Sequence, residues 1–327
     1  MSRAVEATPE TESLVRTLVA DITARPVRSV DRMAYGHGSV TYRADVGVGG
    51  GPDDVAVIVR TNTDPRVYAG TLANLAALRG LGLPVPSVLD ADLACSRYPF
   101  AYVVTDTFPG RDLGFVLADM TAAQMSRLAE QIVGFERLAS RLPRGSGYGF
   151  MPIGAVGGHG RWIDAVRADQ RSILGSRDGG VDRNVDREFA ELIANLRRTL
   201  DRSSARLDAI APTCFLDDLT TKNVIVHDGV LRGVVDFDVV CYGDPMYWLA
   251  LTQVAVLFDV GAVGQLYVDE LIRLWAPSPF ELANLALYSA LHVAEFLRWP
   301  DDDRGDSAAA RRHRVMTTAR SWLAAAV

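Results

Sequence analysis

Two apolar strands flanked by polar residues constrain this chain more than any other feature. Asp218 and Asn223 stand at D-x-x-x-x-N spacing, directly before the apolar run Val224-Ile225-Val226. A turn at His227-Asp228-Gly229 then leads into a second apolar run, which ends at Asp236. Asp-Gly between two apolar runs is a strong signal for a tight β-hairpin. The pattern therefore predicts a hairpin that holds Asn223 and Asp236 close together at its open end.

The residue types at this hairpin match the needs of phosphoryl transfer. One carboxylate, Asp218, can accept the proton of an attacking hydroxyl, and the oxygens of Asn223 and Asp236 suit a hard cation such as Mg²⁺. D-x-x-x-x-N by itself is common and weak. The spacing, the hairpin and the apolar frame agree here, which favours a site over the alternative of a surface hairpin with solvated acids.

This stretch resembles the aminoglycoside phosphotransferase and choline kinase family, relatives of the protein kinases. Family members carry a pattern close to H-G-D-x-x-x-x-N, a short hairpin, I-D-F/W and G-D-P; the last element here is Gly243-Asp244-Pro245. The resemblance implies that Asp218 is the catalytic base, that Asn223 and Asp236 are Mg²⁺ ligands, and that Asp244 braces the catalytic loop. The chain departs from the pattern at Leu216-Asp217, which replace His-Gly, and at Trp248, where the family often has Asp.

A glycine turn near the N-terminus resembles the phosphate-covering turn of the same family. It consists of Gly36, His37, Gly38 and Ser39, ahead of the apolar strand that ends at Arg60. Glycines allow backbone N–H groups to approach phosphate oxygens. A lone G-x-G-S is weak, and an ordinary hairpin turn is the alternative.

Arg60 stands where kinases keep a phosphate-pairing lysine. Lys222 is the only lysine of the chain, so Arg60 is the sole basic candidate on this strand. Arginine can pair with phosphate bidentately and is always charged. No glutamate occurs between Glu12 and Glu130, and the position aligned with the usual glutamate partner is Asn74. The resemblance therefore predicts that the Lys–Glu ion pair of the family is absent.

Two further sets of residues follow from the resemblance alone. The segment after the strand Phe100–Val104 would be the hinge whose backbone binds adenine; it comprises Thr105, Asp106 and Thr107. The acceptor site would be built from helices of the larger lobe, with candidates in residues 148–169 and 292–303. The second of these contains Glu295, Trp299 and Asp301, whose carboxylates and indole could hold ammonium groups and stack a sugar. A solvated helix end is the alternative.

The predicted fold is α+β, a two-lobed protein-kinase-like architecture. Residues 1–106 would form a small N-lobe with an antiparallel sheet and one helix, and residues 107–327 a larger, mainly helical C-lobe. Apolar periodicity predicts helices over 11–22, 68–81, 121–142, 161–173, 187–207, 245–260, 279–299 and 308–325.

Composition removes several classes of function. The net charge of -6 disfavours nucleic-acid binding, which usually needs a basic face. No secretory signal and no run of membrane-spanning length is present, so we expect no membrane partner. Three widely spaced cysteines indicate a reducing cytoplasm. Histidine spacings do not match zinc sites, no G-x-S-x-G elbow occurs, and the D-x-D-x-V at Asp236 comes too late for a dehalogenase-type phosphatase.

The resulting expectation is Mg²⁺-dependent transfer of the γ-phosphate of ATP or GTP to a small-molecule hydroxyl, by a monomer or homodimer. The resemblance points to an antibiotic acceptor, such as an aminoglycoside, a nucleoside or a related sugar-bearing compound, and so to resistance or self-protection. Two alternatives stay open. One is a metabolic kinase acting on an amino alcohol or a sugar; the other is a degenerate kinase that binds nucleotide without turnover.

Overall fold

The computed structural model describes residues 8–33, 39–48, 54–174, 187–298 and 306–326. By its internal contacts the chain divides into two compact units. The first contains Met1–Gly110 together with Arg232–Val239, and the second contains Arg111–Leu231 together with Val240–Val327. The single boundary predicted after residue 106 stays a prediction for the domain organisation. The contact-based division assigns the segment that carries Asp236 to the first unit.

An antiparallel five-stranded sheet forms the first unit, with strand order β1-β2-β3-β5-β4. Its elements are α1 (Pro9–Thr23), β1 (Val27–Arg32), β2 (Val40–Val46), β3 (Val55–Asn62), α2 (Thr71–Gly80), β4 (Val88–Asp92) and β5 (Ala101–Asp106). Alternate residues of β2 are buried, as expected for a strand with one face in a core. The register places Arg60 of β3 between Thr41 of β2 and Val103 of β5.

Helix α1 covers one face of this sheet and corresponds to the helix predicted over 11–22. Thr8 caps it by accepting the N–H of Thr11, and Pro9 occupies the first turn, where its missing N–H costs nothing. Its apolar stripe, which includes Val15 and Leu18, packs in one cluster with buried residues of β2, β3 and β5. This cluster is the core of the first unit.

Helices dominate the second unit, so the expected α+β class is confirmed. Its elements are β6 (Arg111–Asp112), α3 (Ala122–Ala139), β7 (Gly149–Met151), α4 (Trp162–Asp169), α5 (Arg171–Leu174), α6 (Arg187–Arg202), α7 (Ser204–Asp208), β8 (Thr213–Phe215), β9 (Val224–His227), β10 (Val230–Val234), β11 (Val240–Gly243), α8 (Met246–Asp259), α9 (Gln265–Trp275), α10 (Pro279–Phe296) and α11 (Asp306–Ala325). The end of β10 belongs to the first unit. Two small sheets have the orders β10-β9-β6 and β7-β11-β8.

The apolar helix α10 packs against α6, α8 and α11, while α3 packs against α9. Two predicted helices are each interrupted. The helix predicted over 161–173 breaks at Gln170, and the helix predicted over 187–207 breaks at Ser203. Helix α9 has no counterpart among the predicted elements. Within the described parts of the chain, no helix is both long enough and apolar enough to cross a membrane.

Candidate active site

The predicted hairpin is present. Strands β9 and β10 are joined at Asp228 and Gly229, whose φ angles are 53° and 70°. Positive φ at both central residues is the signature of a type I′ turn, and Asp-Gly is a preferred sequence for it. Local sequence is therefore sufficient to set the turn that follows the candidate catalytic loop. The proximity of Asn223 and Asp236 stays a prediction.

The candidate catalytic loop covers residues 216–223, between β8 and β9. Asp218 is half-buried there, and its carboxylate Oδ1 accepts a hydrogen bond from Thr220 Oγ1 at 2.7 Å. Asn223 Nδ2 donates to the backbone oxygen of Asp218 at 3.0 Å. Asn223 thus uses its amide nitrogen to hold the loop, which leaves its amide oxygen as the atom suited to a cation.

Helices on several sides brace this loop. Glu136 of α3 accepts the N–H of Leu216 at 3.1 Å, and Thr252 of α8 donates to the carbonyl of Leu219 at 3.1 Å. Thr221 donates its hydroxyl hydrogen to the carboxylate of Asp259, at the end of α8. These supporting residues are not apparent from the sequence, because each lies far along the chain from the loop.

Glu136 is a buried acid at the base of the loop. Its side chain is fully enclosed, and burial raises its pKa well above the ordinary range, although the N–H of Leu216 acts in the opposite direction and Asp217 adds to the rise. At a given pH, the neutral form of Glu136 is therefore more populated than that of a solvent-exposed glutamate. An acid on the apolar face of α3, between Ile132 and Ala139, is the sequence signal that could have revealed it.

Asp244 lies in a buried polar network at the start of α8. Its carboxylate accepts hydrogen bonds from Met246 N at 3.0 Å, Asn284 Nδ2 at 2.7 Å and Tyr288 OH at 3.0 Å. Burial raises the pKa of Asp244 to about 6, against the effect of these donors. Trp162 donates in turn to Tyr288 OH at 2.8 Å. These contacts connect α8 with α10, whereas the bracing of the catalytic loop expected from Asp244 stays a prediction.

Arg60 is held in a bidentate ion pair within the first unit. Its Nη1 lies 2.8 Å from Asp238 Oδ1, its Nη2 lies 2.5 Å from Asp238 Oδ2, and Asp236 Oδ1 is 3.4 Å from Nη2. Burial alone would lower the pKa of Arg60, but the Asp238 and Asp236 carboxylates outweigh it and raise the pKa. Arg60 therefore stays charged. The sequence did not reveal that its partner is Asp238, because the two residues lie 178 positions apart.

Asp236 has an unusual backbone conformation. Its φ angle of 69° lies in the left-handed region, which non-glycine residues rarely adopt, and 52% of its side-chain surface is exposed. Desolvation by the surrounding protein raises the pKa of Asp236, Arg60 partly offsets this, and Asp238 adds to it. A strained residue that presents a reachable carboxylate is typical of functional positions.

The two residues predicted to hold Mg²⁺ each carry an oxygen donor. Asp236 offers a carboxylate and Asn223 an amide oxygen, both ligand types of a hard cation. Over the described residues, no three His, Cys, Asp or Glu side chains gather into a metal centre.

Two of the three residues predicted to form the hinge belong to the five-stranded sheet. Thr105 and Asp106 belong to β5, and the N–H of Asp106 donates to the carbonyl of Ser87 at 3.0 Å. The carboxylate of Asp106 accepts the N–H of Ser87 at 2.7 Å, and Thr107 donates its hydroxyl to Ala56 at 3.2 Å. Among the backbone N–H groups of the predicted hinge, that of Asp106 therefore already has a partner.

Of the four residues in the predicted glycine turn, the structure describes Ser39. Gly36, His37 and Gly38 lie outside the described residues. Ser39 is buried at the start of β2, beside Tyr68, whose pKa burial raises to about 12.

A polar cluster in the second unit joins the two segments expected to build the acceptor site. Gln170 Nε2 lies 3.0 Å from Asp169 Oδ2, 3.0 Å from the Tyr247 hydroxyl and 3.1 Å from Glu295 Oε2, so its two hydrogens are shared among three acceptors. Tyr247 donates its hydroxyl hydrogen to Asp169, and Glu295 Oε2 lies 3.6 Å from His292 Nδ1. We call these five residues the acceptor cluster. Of the three predicted acceptor residues, Glu295 belongs to it, while Trp299 and Asp301 lie outside the described residues.

Glu295 carries the negative charge of this cluster at α10. Burial would raise its pKa, but the contacts with His292 and Gln170 outweigh it, so that the pKa of Glu295 is lowered. His292 is 2% exposed, and neither ring nitrogen has a hydrogen-bond partner within the described structure; Gln170 Oε1 is likewise buried without one. The acceptor cluster thus combines solvent-accessible carboxylates with the buried polar side chains of Gln170 and His292.

The model of the phosphotransferase enzyme family (APH) matches residues 42–288, which is most of the chain. The chain belongs to this family. Membership of this family makes the protein a small-molecule phosphotransferase. The family resemblance predicted from the sequence is confirmed. No curated protein matches the chain.

Solved structures show the fold of the phosphotransferase to be protein-kinase-like, as predicted. One is a ternary complex of a thermostable mutant of aminoglycoside phosphotransferase APH(4)-Ia with AMP-PNP and hygromycin B, with a TM-score of 0.62, 16% identity, and coverage of 95% of this chain and 98% of that one. A putative fructosamine-3-kinase from Thermobifida fusca has a TM-score of 0.56 and 18% identity, covering 95% and 98%. The GDP and kanamycin complex of APH(2'')-IIIa has a TM-score of 0.60 and 14% identity, covering 96% of each chain.

Proposed function

We propose that this phosphotransferase moves the γ-phosphate of ATP or GTP to a hydroxyl of a small sugar-bearing molecule, with Asp218 as the catalytic base. The local setting of Asp218 carries the proposal. Its carboxylate is oriented by Thr220, its backbone is held by Asn223, and Glu136, Thr252 and Asp259 brace the surrounding loop. A preorganised carboxylate is what a general base needs in order to accept the proton of an attacking hydroxyl.

The remaining roles follow from charge and donor type. Asn223 and Asp236 would hold Mg²⁺, which when bound neutralises charge on the transferring phosphate. Arg60, permanently charged, would stabilise negative charge on the phosphates, and residues 36–39 would cover them with backbone N–H groups. Thr105, Asp106 and Thr107 would supply the backbone contacts to the base. Magnesium dependence, and the choice between ATP and GTP, are part of this proposal.

The acceptor cluster supports an amine-bearing substrate. The carboxylates of Asp169 and Glu295 are bridged by Gln170 and keep free lone pairs for an ammonium group. We propose that they bind the amino groups of an antibiotic such as an aminoglycoside, with Trp299 and Asp301 nearby in sequence. Structures of similar fold contain hygromycin B or kanamycin. Phosphorylation would inactivate such a drug by adding charge where its target expects a hydroxyl.

A metabolic kinase is the second candidate, since a putative fructosamine-3-kinase shares the fold. A single ammonium group on a sugar or amino alcohol would fit the same two carboxylates. The third interpretation, a degenerate kinase without turnover, depended on two departures from the family: the missing glutamate at Asn74, and the missing histidine at Leu216. The ion pair between Arg60 and Asp238 removes part of its support.

The free cysteines Cys95, Cys214 and Cys241 agree with the proposed reducing cytoplasm.

Mass spectrometry tests the activity. The protein is incubated with Mg²⁺, with ATP or GTP, and with a panel of aminoglycosides, nucleoside antibiotics, amino sugars and amino alcohols. We expect one compound class to gain the mass of a phosphate, and Asp218→Asn to slow product formation by roughly 10²–10⁴-fold, the usual contribution of a general base. Asp208→Asn, which breaks an exposed ion pair with Arg161, is the control and should keep the wild-type rate.

A product that forms equally fast with Asp218→Asn would remove Asp218 from the base role. Nucleotide binding without any phosphorylated product would leave the degenerate-kinase reading in place. Phosphorylation of an amino sugar but of no antibiotic would establish the metabolic kinase.

A further inference from the structure

The segment that carries Asp236 is tied to the rest of the first unit through its next-but-one residue, Asp238. The Asp238 carboxylate receives both terminal nitrogens of Arg60, at 2.8 Å and 2.5 Å. Thr71, the first residue of α2, donates its hydroxyl to Asp238 Oδ1 at 2.6 Å. One carboxylate therefore links β3, α2 and the segment 236–238. Both partners of the ion pair are 19% exposed, so that solvent screens the pair little.

Asn74 grips the same segment by its backbone. Its Nδ2 donates to the carbonyl oxygens of Phe237, at 3.0 Å, and Asp238, at 2.9 Å, and its side chain is fully buried. Asn74 stands at the helix position where the family's glutamate is expected. The amide replaces an acid because the groups that face it here are two carbonyl oxygens, which need a donor.

We propose that Asp238 is the positioning partner of Arg60, and that Arg60, Thr71, Asn74 and Asp238 form a lock that holds the Asp236 carboxylate in its metal-binding orientation. This inference rests on the proposed function. Asp236 has a φ of 69°, a conformation that persists in a non-glycine residue only when the surroundings enforce it. The lock supplies that enforcement, since it fixes the backbone at the two residues that follow.

The lock also orients Arg60. A guanidinium has five N–H donors in a rigid fork. Asp238 takes one from each terminal nitrogen, which leaves the others to stabilise phosphate from a fixed position. A lysine at the same place cannot form a bidentate pair, so Arg60 and Asp238 act as a matched set in place of the family's Lys–Glu pair.

The binding of AMP-PNP to the full-length protein, measured calorimetrically with and without Mg²⁺, tests the lock. Asp238→Asn should reduce the Mg²⁺-dependent part of the affinity by about 10–100-fold, the usual effect of losing a partner that orients a metal ligand, and should change affinity without Mg²⁺ far less. Arg60→Lys should have an effect in the same direction. A merely structural ion pair would instead lower the melting temperature and leave the Mg²⁺ dependence unchanged.

The control is Asp208→Asn in the second unit. Arg161 also pairs bidentately with Asp208, through Nε at 2.9 Å and Nη2 at 2.5 Å, but this pair is exposed. Its loss should change neither affinity. If Asp238→Asn does not fold, Thr71→Val serves instead, because it removes one hydrogen bond to Asp238 and keeps the ion pair. We expect it to have a smaller effect of the same kind.

The variant Asn74→Glu, which restores the family's glutamate, tests whether Arg60 requires Asp238 or would accept any acidic partner. A carboxylate there would oppose the carbonyl oxygens of Phe237 and Asp238, so we expect Asn74→Glu to weaken Mg²⁺-dependent binding. Full recovery of binding in the double variant Asn74→Glu/Asp238→Asn would overturn the lock, because Arg60 would then accept either partner.

The wild type distinguishes the two levels of inference. Mg²⁺-dependent binding in the wild type that persists unchanged in Asp238→Asn would reject the lock and leave the proposed function standing. A wild type that binds AMP-PNP with no Mg²⁺ dependence would reject the metal roles of the proposed function, and the lock with them.

Discussion

Buried ionisable side chains are the main feature of this protein at the scale of single residues. Glu136 stabilises the backbone of the loop through a hydrogen bond, while the burial of its carboxyl group disfavours ionisation. Its acid oxygen accepts the N–H of Leu216, which holds the start of the catalytic loop, yet its enclosure makes the charged form unfavourable. The neutral acid therefore makes a hydrogen bond that the ionised form could make only at a large desolvation cost.

Glu136 predicts a specific dependence of stability on pH. Because its folded-state pKa is raised, its favourable contribution is complete below the unfolded pKa of about 4.3 and is lost as the pH rises through the folded pKa. Glu136→Gln keeps an acceptor oxygen for Leu216 and cannot ionise. We expect the free energy of unfolding of Glu136→Gln, relative to wild type, to increase as the pH rises from 5 to 8, by about 1.4 kcal/mol for each pH unit that lies below the folded pKa of Glu136.

Urea denaturation at the two pH values measures this difference. Glu130→Gln, an exposed position on the same helix, is the control and should show no such increase. An equal effect of pH on wild type and Glu136→Gln would mean that Glu136 is already ionised in the folded protein.

At the scale of elements, strand β11 depends on a residue without a side chain. A Cβ at Gly243 would lie 2.3 Å from two atoms of the Trp162 ring. Trp162 is buried and donates to Tyr288, which in turn donates to Asp244. The ring cannot move away without disturbing that network, so the close approach of strand and indole is a requirement of the second unit.

Gly243→Ala should therefore destabilise the protein by about 1–3 kcal/mol, the usual cost of overpacking. Gly80→Ala is the matched control, because Gly80 ends α2 with no atom within 4 Å of an added Cβ. That change should be neutral or stabilise by about 0.5–1 kcal/mol. The midpoints of chemical denaturation compare the two, and a Gly243→Ala midpoint equal to that of wild type would show that Trp162 can shift freely.

At the scale of the whole molecule, arginine replaces lysine throughout. Lys222 is the only lysine among the 34 lysine and arginine residues, and it is exposed beside Asn223. An amine-reactive reagent can therefore report on one internal position of the chain, next to a proposed metal ligand.

We expect Mg²⁺ and AMP-PNP together to slow the modification of Lys222 several-fold, measured by mass spectrometry of the peptide that contains it. The reason is that nucleotide held near Asn223 would restrict access to the neighbouring amine. The modification rate of the N-terminal amine is the internal control. Unchanged labelling of Lys222 at a nucleotide concentration that saturates binding would argue against the metal role of Asn223.

Much of the local structure was predictable because it depends on neighbouring residues. Asp228-Gly229 suits the positive φ angles of a type I′ turn, so the hairpin follows from the sequence. Thr121 and Ser278 form capping boxes with the residue three positions on, and α3 and α10 begin where their sequences predict. The D-x-x-x-x-N spacing identifies Asp218 and Asn223 for the same reason, since both lie on one short loop.

The interruptions of the predicted helices, and the partners of the buried polar side chains, were not predictable from neighbouring residues. The helix predicted over 161–173 ends at Asp169. The side chain of the next residue, Gln170, bonds to Tyr247 and Glu295, both of which come from other helices. Helix α9 is stabilised by packing against α3 and α8. Propensity is a weak guide where tertiary contacts decide the outcome.

The sequence by itself thus determined the family and the β-hairpin, and it supplied the candidates for the catalytic loop and for the phosphate-binding Arg60. Only the tertiary structure decided which partner each group received. Arg60 pairs with a residue 178 positions away, and Glu136 supports a backbone N–H 80 positions away. Backbone preferences act over a few residues and can be recognised locally, whereas ion pairs and buried hydrogen bonds are selected by the packing that brings distant segments together.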